Sequence, residues 1–331
     1  ELTCRYGPAH APIKTVYQGI KEYLPNAEVS YAKGCNIIDK YFPESELYNV
    51  PLDTQEQAMI NEAVELAKVS DIAILVLGGN EKTVREEFSR TSLDLCGRQQ
   101  QLLEAVYATG KPVVLVMVDG RAATINWANK YVPAIVHAWF PGEFMGNAIA
   151  KVLFGDYNPA GRMPLTTYMN DSDLPDFEDY SMANRTYRYF KGDVRYPFGY
   201  GLSYTTFGYA PLTNNSTVKT GESIQVATTV TNTGKRAGDE VVQLYVSHPQ
   251  NGNTRVPLRA LKGFKRIHLD KGESRQVIFT LSPEELALVD EKGNLVEKEG
   301  SVELYIGGGQ PYKSEGSFGE LKIEGDSYVV Y

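Results

Sequence analysis

The chain has 331 residues, of which 42% are apolar and 22% charged. Those proportions are ordinary for globular proteins, leave room for two domains and argue against extensive disorder. A net charge of −8 and an isoelectric point near 5.2 disfavour nucleic acid and anionic membranes as partners. No apolar run reaches the length of a membrane span.

The sequence opens ELTCRYGPAH, with neither Met nor the basic and apolar regions of a signal peptide. That start fits a chain whose upstream part has been removed, or a portion of a longer one. Residues 11–25 place Ile13, Val16, Tyr17, Ile20 and Leu24 at helical spacing and stop at Pro25, which predicts a helix. AEVSYAKGC (residues 27–35) reads as a short strand. A strand is expected before the helix at 11–25, so the sheet is predicted to lack its first strand in this chain. Residues 54–70 predict a second helix, with Thr54 as N-cap.

DIAILVLGG (residues 71–79) is a continuous apolar run of the kind buried on both faces in a parallel sheet. Helix, strand, helix, strand and helix follow in GRQQQLLEAVYATG, KPVVLVMVDG, AATINWANKY, PAIVHAWF and GEFMGNAIAKVLFG, with Gly110 and Gly155 as stops. This alternation predicts an open α/β sandwich, its sheet mostly parallel with helices on both faces. Ligands in such sheets sit beyond the C-terminal strand ends. Three loops qualify: 78–95, 119–121 and 141–145. After residue 207 the pattern becomes strand-like alternation broken by turns, which predicts an all-β sandwich of fibronectin type III style. NRTYRYFKGDVRYPFGYGLSYTTFGY joins the two. The expected domains are therefore 1–207, including this aromatic connector, and 208–331.

Chemistry concentrates in GGNEKTVREEFSRTSLDL, residues 78–95. Glu81, Glu86 and Glu87 lie among Arg85 and Arg90. Clustered carboxyls raise one another's affinity for protons, as a general acid requires, whereas the arginines oppose that shift. From the residues alone the cluster fits a solvated, ion-paired loop, the commoner arrangement, or a catalytic one. Other sites fare worse. Ser203 lacks the GxSxG strand–turn–helix context of a hydrolase nucleophile. GGN at 78–80 is no dinucleotide fingerprint, and His137 in its apolar strand reads as a core histidine. Cys4, Cys35 and Cys96 have no metal-ligand spacing and read as free thiols. No cofactor or metal is called for.

Several stretches together resemble glycoside hydrolase family 3: DIAILVLGG, SRTSLDLCGRQQQLL, KPVVLVMVDGRAATINW, the run from AIVHAWFPGEF to GDYNPAGRMPLT, and RTYRYFKGDVRYPFGYGLSYTTF. VTNTGKRAGDEVVQLYV with PLRALKGFKRIHLDKGE resembles the fibronectin type III-like domain often appended to that family. The resemblance implies retaining, exo-acting hydrolysis of β-linked sugars by two carboxyl groups. It places the nucleophilic aspartate on a (β/α)8 barrel that precedes this region and is absent here. The acid/base is a glutamate four residues before an arginine, which falls on Glu86, with Glu87 and Glu81 as alternatives because Ser89 replaces the family's usual aspartate. Arg85 and Arg90 are candidate substrate contacts. Xylose or glucose at the non-reducing end is the expected sugar, the loop and RTYRYF resembling β-xylosidases somewhat more, and export is expected. The competing reading is a non-catalytic carbohydrate-binding or assembly module.

Overall fold

The computed structural model describes residues 12–87, 90–249, 256–311 and 313–330. It contains two compact units: one runs to Tyr157 and includes Met169–Asp171, the other comprises Asn158–Tyr168 and Ser172 onward.

The first unit is built on three parallel strands, β1 Ala73–Gly78, β2 Val113–Val118 and β3 Ala134–His137, adjacent in that order. Their register is regular, Leu75 opposite Leu115 and Leu115 opposite Ile135. β2 is central, and Leu115 and Val116 are fully buried on its opposite faces. The helices are α1 Val16–Tyr23, α2 Thr54–Val69, α3 Gln99–Tyr107, α4 Asn126–Tyr131 and α5 Met145–Leu153. Val16 and Ile20 of α1 join Met145, Ile149 and Ala150 of α5 over Val116, with Ile74 and Val136 alongside. Glycine makes that pairing close: a Cβ on Gly19 would stand 2.1 Å from the Gly146 carbonyl carbon. α2 and α3 pack together, and α3 also packs on β1.

Three local expectations need correction. Residues 27–35 join no ladder among the described residues. Polar Glu28, Ser30 and Lys33 interrupt the apolar pattern there, and Gly34 turns the backbone to a φ of 70°. Val29 packs instead against the α1–α5 cluster. The N-cap of α2 is Asp53, not Thr54: its carboxylate accepts from the Glu56 amide, and Glu56 bonds back to the Asp53 N–H. With Glu56 at the third helical position, that reciprocal pair is a capping box, and it starts the helix one residue earlier than a Thr54 cap would. Finally, β1 is not buried on both faces, since Val76 is 45% exposed. Among the described residues β1 pairs only with β2, which leaves its outer side open.

The second unit is an all-β sandwich. Strands Ala260–Leu269, Gly238–Ser247, Gly300–Gly307, Gly316–Glu324 and Thr217–Lys219 form one sheet, adjacent in that order. Ser274–Leu281, Ile224–Asn232 and Phe207–Tyr209 form the path of the other, with Thr213–Asn214 also pairing with Ile224–Asn232. Alternating residues of both sheets meet in one core, including Val226, Val230, Leu244, Leu281, Leu304 and Ile306. The aromatic connector groups with this unit. Asn158 explains part of that grouping, donating to the Ala237 carbonyl at 3.0 Å and accepting from Ser203 Oγ and the Tyr204 amide. Arg162 adds an ion pair to buried Glu240 at 3.1 Å, whose other oxygen accepts from Tyr209. GDYNPAGR is thus a structural turn.

One consequence concerns acid. Burial holds the imidazole of His137, at the end of β3, down at about 4. A depressed histidine contributes stability that is complete above its unfolded value near 6.5, is lost progressively as pH falls below it, and is gone once pH passes 4. Chemical denaturation at pH 7.5 and pH 5 is expected to show a loss of ~1–2 kcal/mol from this group. His137→Gln should reduce that loss; an unchanged loss would assign it elsewhere.

Candidate active site

Three loops meet at the C-terminal edge of the parallel sheet. A Cβ on Gly79, just after β1, would lie 2.7 Å from both Asp119 Oδ1 and Thr83 Oγ1. One on Gly120, after β2, would meet Val84 at 2.6 Å and the Phe140 ring, from the loop after β3, at 2.7 Å. Glycine at 79 and 120 is therefore what lets the loops approach.

The loop 78–95 is secured at both ends. At its start Gly78 has a φ of 141°, and a Cβ there would stand 2.0 Å from the Val118 carbonyl oxygen. Gln99 of α3 clamps that glycine, accepting from its N–H at 2.6 Å and donating to its C=O at 2.9 Å. The next residues wind about Asn80. Its carbonyl accepts from the amides of Thr83 and Val84, and its side chain accepts from the Lys82 amide at 2.9 Å.

At the far end, Arg90 Nε meets Glu46 Oε1 at 2.6 Å, with only 6% and 4% of the two side chains exposed. The second oxygen of Glu46 accepts from the amide and hydroxyl of Thr91, both at 3.1 Å. Arg90 Nη2 donates to the Asp94 carbonyl at 2.6 Å. Leu93 extends the anchor, its N–H donating to Asp171 and its carbonyl accepting from the Thr124 amide. A buried pair carrying this many further bonds is a geometric clamp.

Between the anchors the charged residues separate by environment. Glu81 and Arg85 are half-buried and face one another across 3.9 Å. Glu86 and Glu87 are exposed, and Glu87 holds a φ of 69°, a left-handed conformation uncommon outside glycine. Ser89 lies outside the described residues. Arg90, expected as a substrate contact, commits Nε and Nη2 to the anchor. Glu46 and Gln99 join the site without a signal in sequence, whereas Asp119 opens the candidate loop 119–121. Glu46 lies 44 residues before Arg90, beyond any local spacing rule.

Asp119, at the exit of β2, is 8% exposed. Burial raises its carboxyl above the usual range, opposed by the Arg121 and Gly120 amides and the charges of Arg90 and Arg121. Cys96 lies beside the Glu46–Arg90 pair, and burial pushes its thiol up to about 12, which keeps it inert at neutral pH. The loop after β3 turns at Trp139, with a φ of 55°, and at Gly142, and it leaves Phe140 and Phe144 exposed. The arrangement supplies an exposed carboxyl on a loop anchored at both ends, above a strand edge where two further loops converge.

A loop-crowned, parallel α/β sheet with a β-sandwich of fibronectin type III kind is the class that fold and site define. Residues 4–204 match the family model for the glycosyl hydrolase family 3 C-terminal domain, and residues 240–310 match the fibronectin type III-like domain. The chain belongs to glycosyl hydrolase family 3. It is 36% identical over 305 residues to a β-xylosidase of Formosa agariphila, covering 88% of this chain and 39% of the relative. It is likewise 36% identical over 323 residues to a periplasmic β-glucosidase of Salmonella typhimurium, covering 92% and 42%. A β-glucosidase structure from Erythrobacter marinus superposes with a TM-score of 0.82 at 31% identity, covering 97% of this chain and 44% of that one. The chain thus spans about two-fifths of the length of these curated relatives. The first family segment ends at residue 204, beyond the compact unit's end at Tyr157. Among the described residues no helix is long and apolar enough to cross a membrane.

Proposed function

We propose that this chain is the C-terminal part of an exported, retaining β-glycosidase that releases xylose or glucose from the non-reducing end of oligosaccharides. Glu86 is its general acid/base, with Glu87 and Glu81 as the alternatives on the same loop. The reading rests on one observation above the rest: a loop pinned by Gln99 and by Glu46–Arg90 presents an exposed glutamate above the C-terminal edge of the sheet. The names of the relatives agree with it, and the periplasmic location of one agrees with export. The domains are taken as 1–207 and 208–331, a boundary that the end of the first family segment at residue 204 supports.

Retaining hydrolysis proceeds in two steps. In the first, the nucleophile attacks the anomeric carbon while Glu86 gives its proton to the departing glycosidic oxygen. In the second, Glu86, now a carboxylate, takes a proton from the water that releases the sugar. Arg85 lies next to it in sequence and is the candidate substrate contact, while Arg90 holds the loop. The attacking aspartate belongs to the barrel that the family resemblance places before this region.

The division of labour is testable by assaying the 331-residue chain and a longer form carrying the barrel on an aryl β-xyloside and an aryl β-glucoside. Turnover should require the barrel, because the covalent step has no substitute. Comparable turnover by the chain alone would refute the proposal.

A further inference from the structure

Away from the loop 78–95, the sandwich unit holds a small cavity whose polar side chains are all nitrogen bases. It measures about 30 Å³ and is lined by Arg188, His248 and Lys262 together with apolar Val246, Pro257 and Leu288. The three polar side chains come from separate elements. Arg188 belongs to the short helix Thr186–Tyr189, His248 follows strand Gly238–Ser247, and Lys262 sits on the neighbouring strand Ala260–Leu269. No carboxylate lines the space. Among the described residues none of the three side chains takes part in an ion pair or hydrogen bond; Arg188 lies over the Tyr189 ring, 5.8 Å from its centroid.

We propose that this cavity is a binding site for a small oxyanion of the carboxylate or phosphate type, held between Arg188, Lys262 and a protonated His248. The volume suits a few atoms and excludes a sugar ring, so the occupant is a free anion or the acidic head of a larger molecule. Guanidinium and ammonium groups that line one cavity can provide the charge-assisted hydrogen bonds that such heads take.

The electrostatics agree with the geometry. Burial, with a contribution from Lys262, holds His248 down at about 4. Burial also lowers Lys262; Arg188 adds to that, and Glu285 and Glu284 of the helix Pro283–Leu286 oppose it. Glu285 has commitments of its own, one oxygen accepting from the Ser282 amide and hydroxyl. An anion in the cavity would relieve the repulsion and favour the charged form of both groups.

The test follows His248 by NMR in the whole 331-residue chain. The chain has only four histidines, and His248→Gln assigns the signal. Its titration midpoint is measured in chloride, acetate and inorganic phosphate at equal ionic strength. The expected result is a saturable rise of about one pH unit or more in acetate, phosphate or both. The preferred anion then tells a carboxylate head from a phosphate. Lys262→Met should weaken the response ~10-fold or more. Arg188→Met, at an exposed side chain, should also weaken it and decides the matter if Lys262→Met does not fold. Equal midpoints in all three salts, or a wild-type response in the folded variants, would overturn the proposal.

Discussion

Replacing Glu86 by Gln in the barrel-bearing protein is expected to cut hydrolysis of alkyl β-glycosides by ~10²–10⁴-fold. The amide keeps the side chain's shape but has no acidic proton to give. The size of the loss should depend on the leaving group. An alkoxide leaving group needs protonation as the bond breaks, whereas a dinitrophenolate departs almost as well without it. For the first substrate the glycosylation step fails; for the second it survives, and only the release of the sugar from the nucleophile slows. KM for the activated substrate should therefore fall with kcat as the covalent intermediate accumulates. Glu87→Gln and Glu81→Gln should show no such split. If Glu87→Gln shows it and Glu86→Gln does not, the acid/base is Glu87.

The second large effect is on stability. Glu46→Ala would leave the Arg90 guanidinium buried without its carboxylate and would remove the acceptor for the amide and hydroxyl of Thr91. Removing one partner of a buried, hydrogen-bonded pair typically costs about 3–5 kcal/mol. That is a large part of the margin of an ordinary domain. Denaturant unfolding of the chain should show the loss. Glu46→Gln keeps an acceptor oxygen and should lose less. Equal stability of Glu46→Ala and wild type would mean that the pair contributes no net stability. In the barrel-bearing protein Glu46→Gln should also lower turnover by loosening the loop, without the leaving-group dependence of Glu86→Gln.

The alternation of apolar runs and glycine stops made the parallel sheet and its order of elements legible. Segments such as KPVVLVMVDG can only be stable when covered on both sides. The exit loops were legible for the same reason, since a parallel strand must deliver the chain to one edge. Long-range contacts were not. Glu46 reads as one more acidic residue beside Glu44, and only the fold shows that it crosses to Arg90. Gln99 looks like one member of a polar QQQ run, yet its amide bonds both backbone groups of Gly78. The segment at residues 27–35 shows the opposite failure, because strand-like local composition does not supply a neighbouring strand to pair with. Within the loop, the family resemblance singled out Glu86, where the residues alone left the choice open. Its exposure, against the half-buried Glu81, is a property of the fold.

On the proposed mechanism Glu86 is the group that moves the proton. That role is tested most directly by giving the barrel-bearing Glu86→Gln variant an activated aryl β-glycoside together with sodium azide and identifying the product. Azide is a nucleophile that needs no base, so it should take over the step that Glu86 assists in water. Faster turnover with azide and a glycosyl azide of retained β configuration are the expected results. No acceleration, or a product of inverted configuration, would contradict that role.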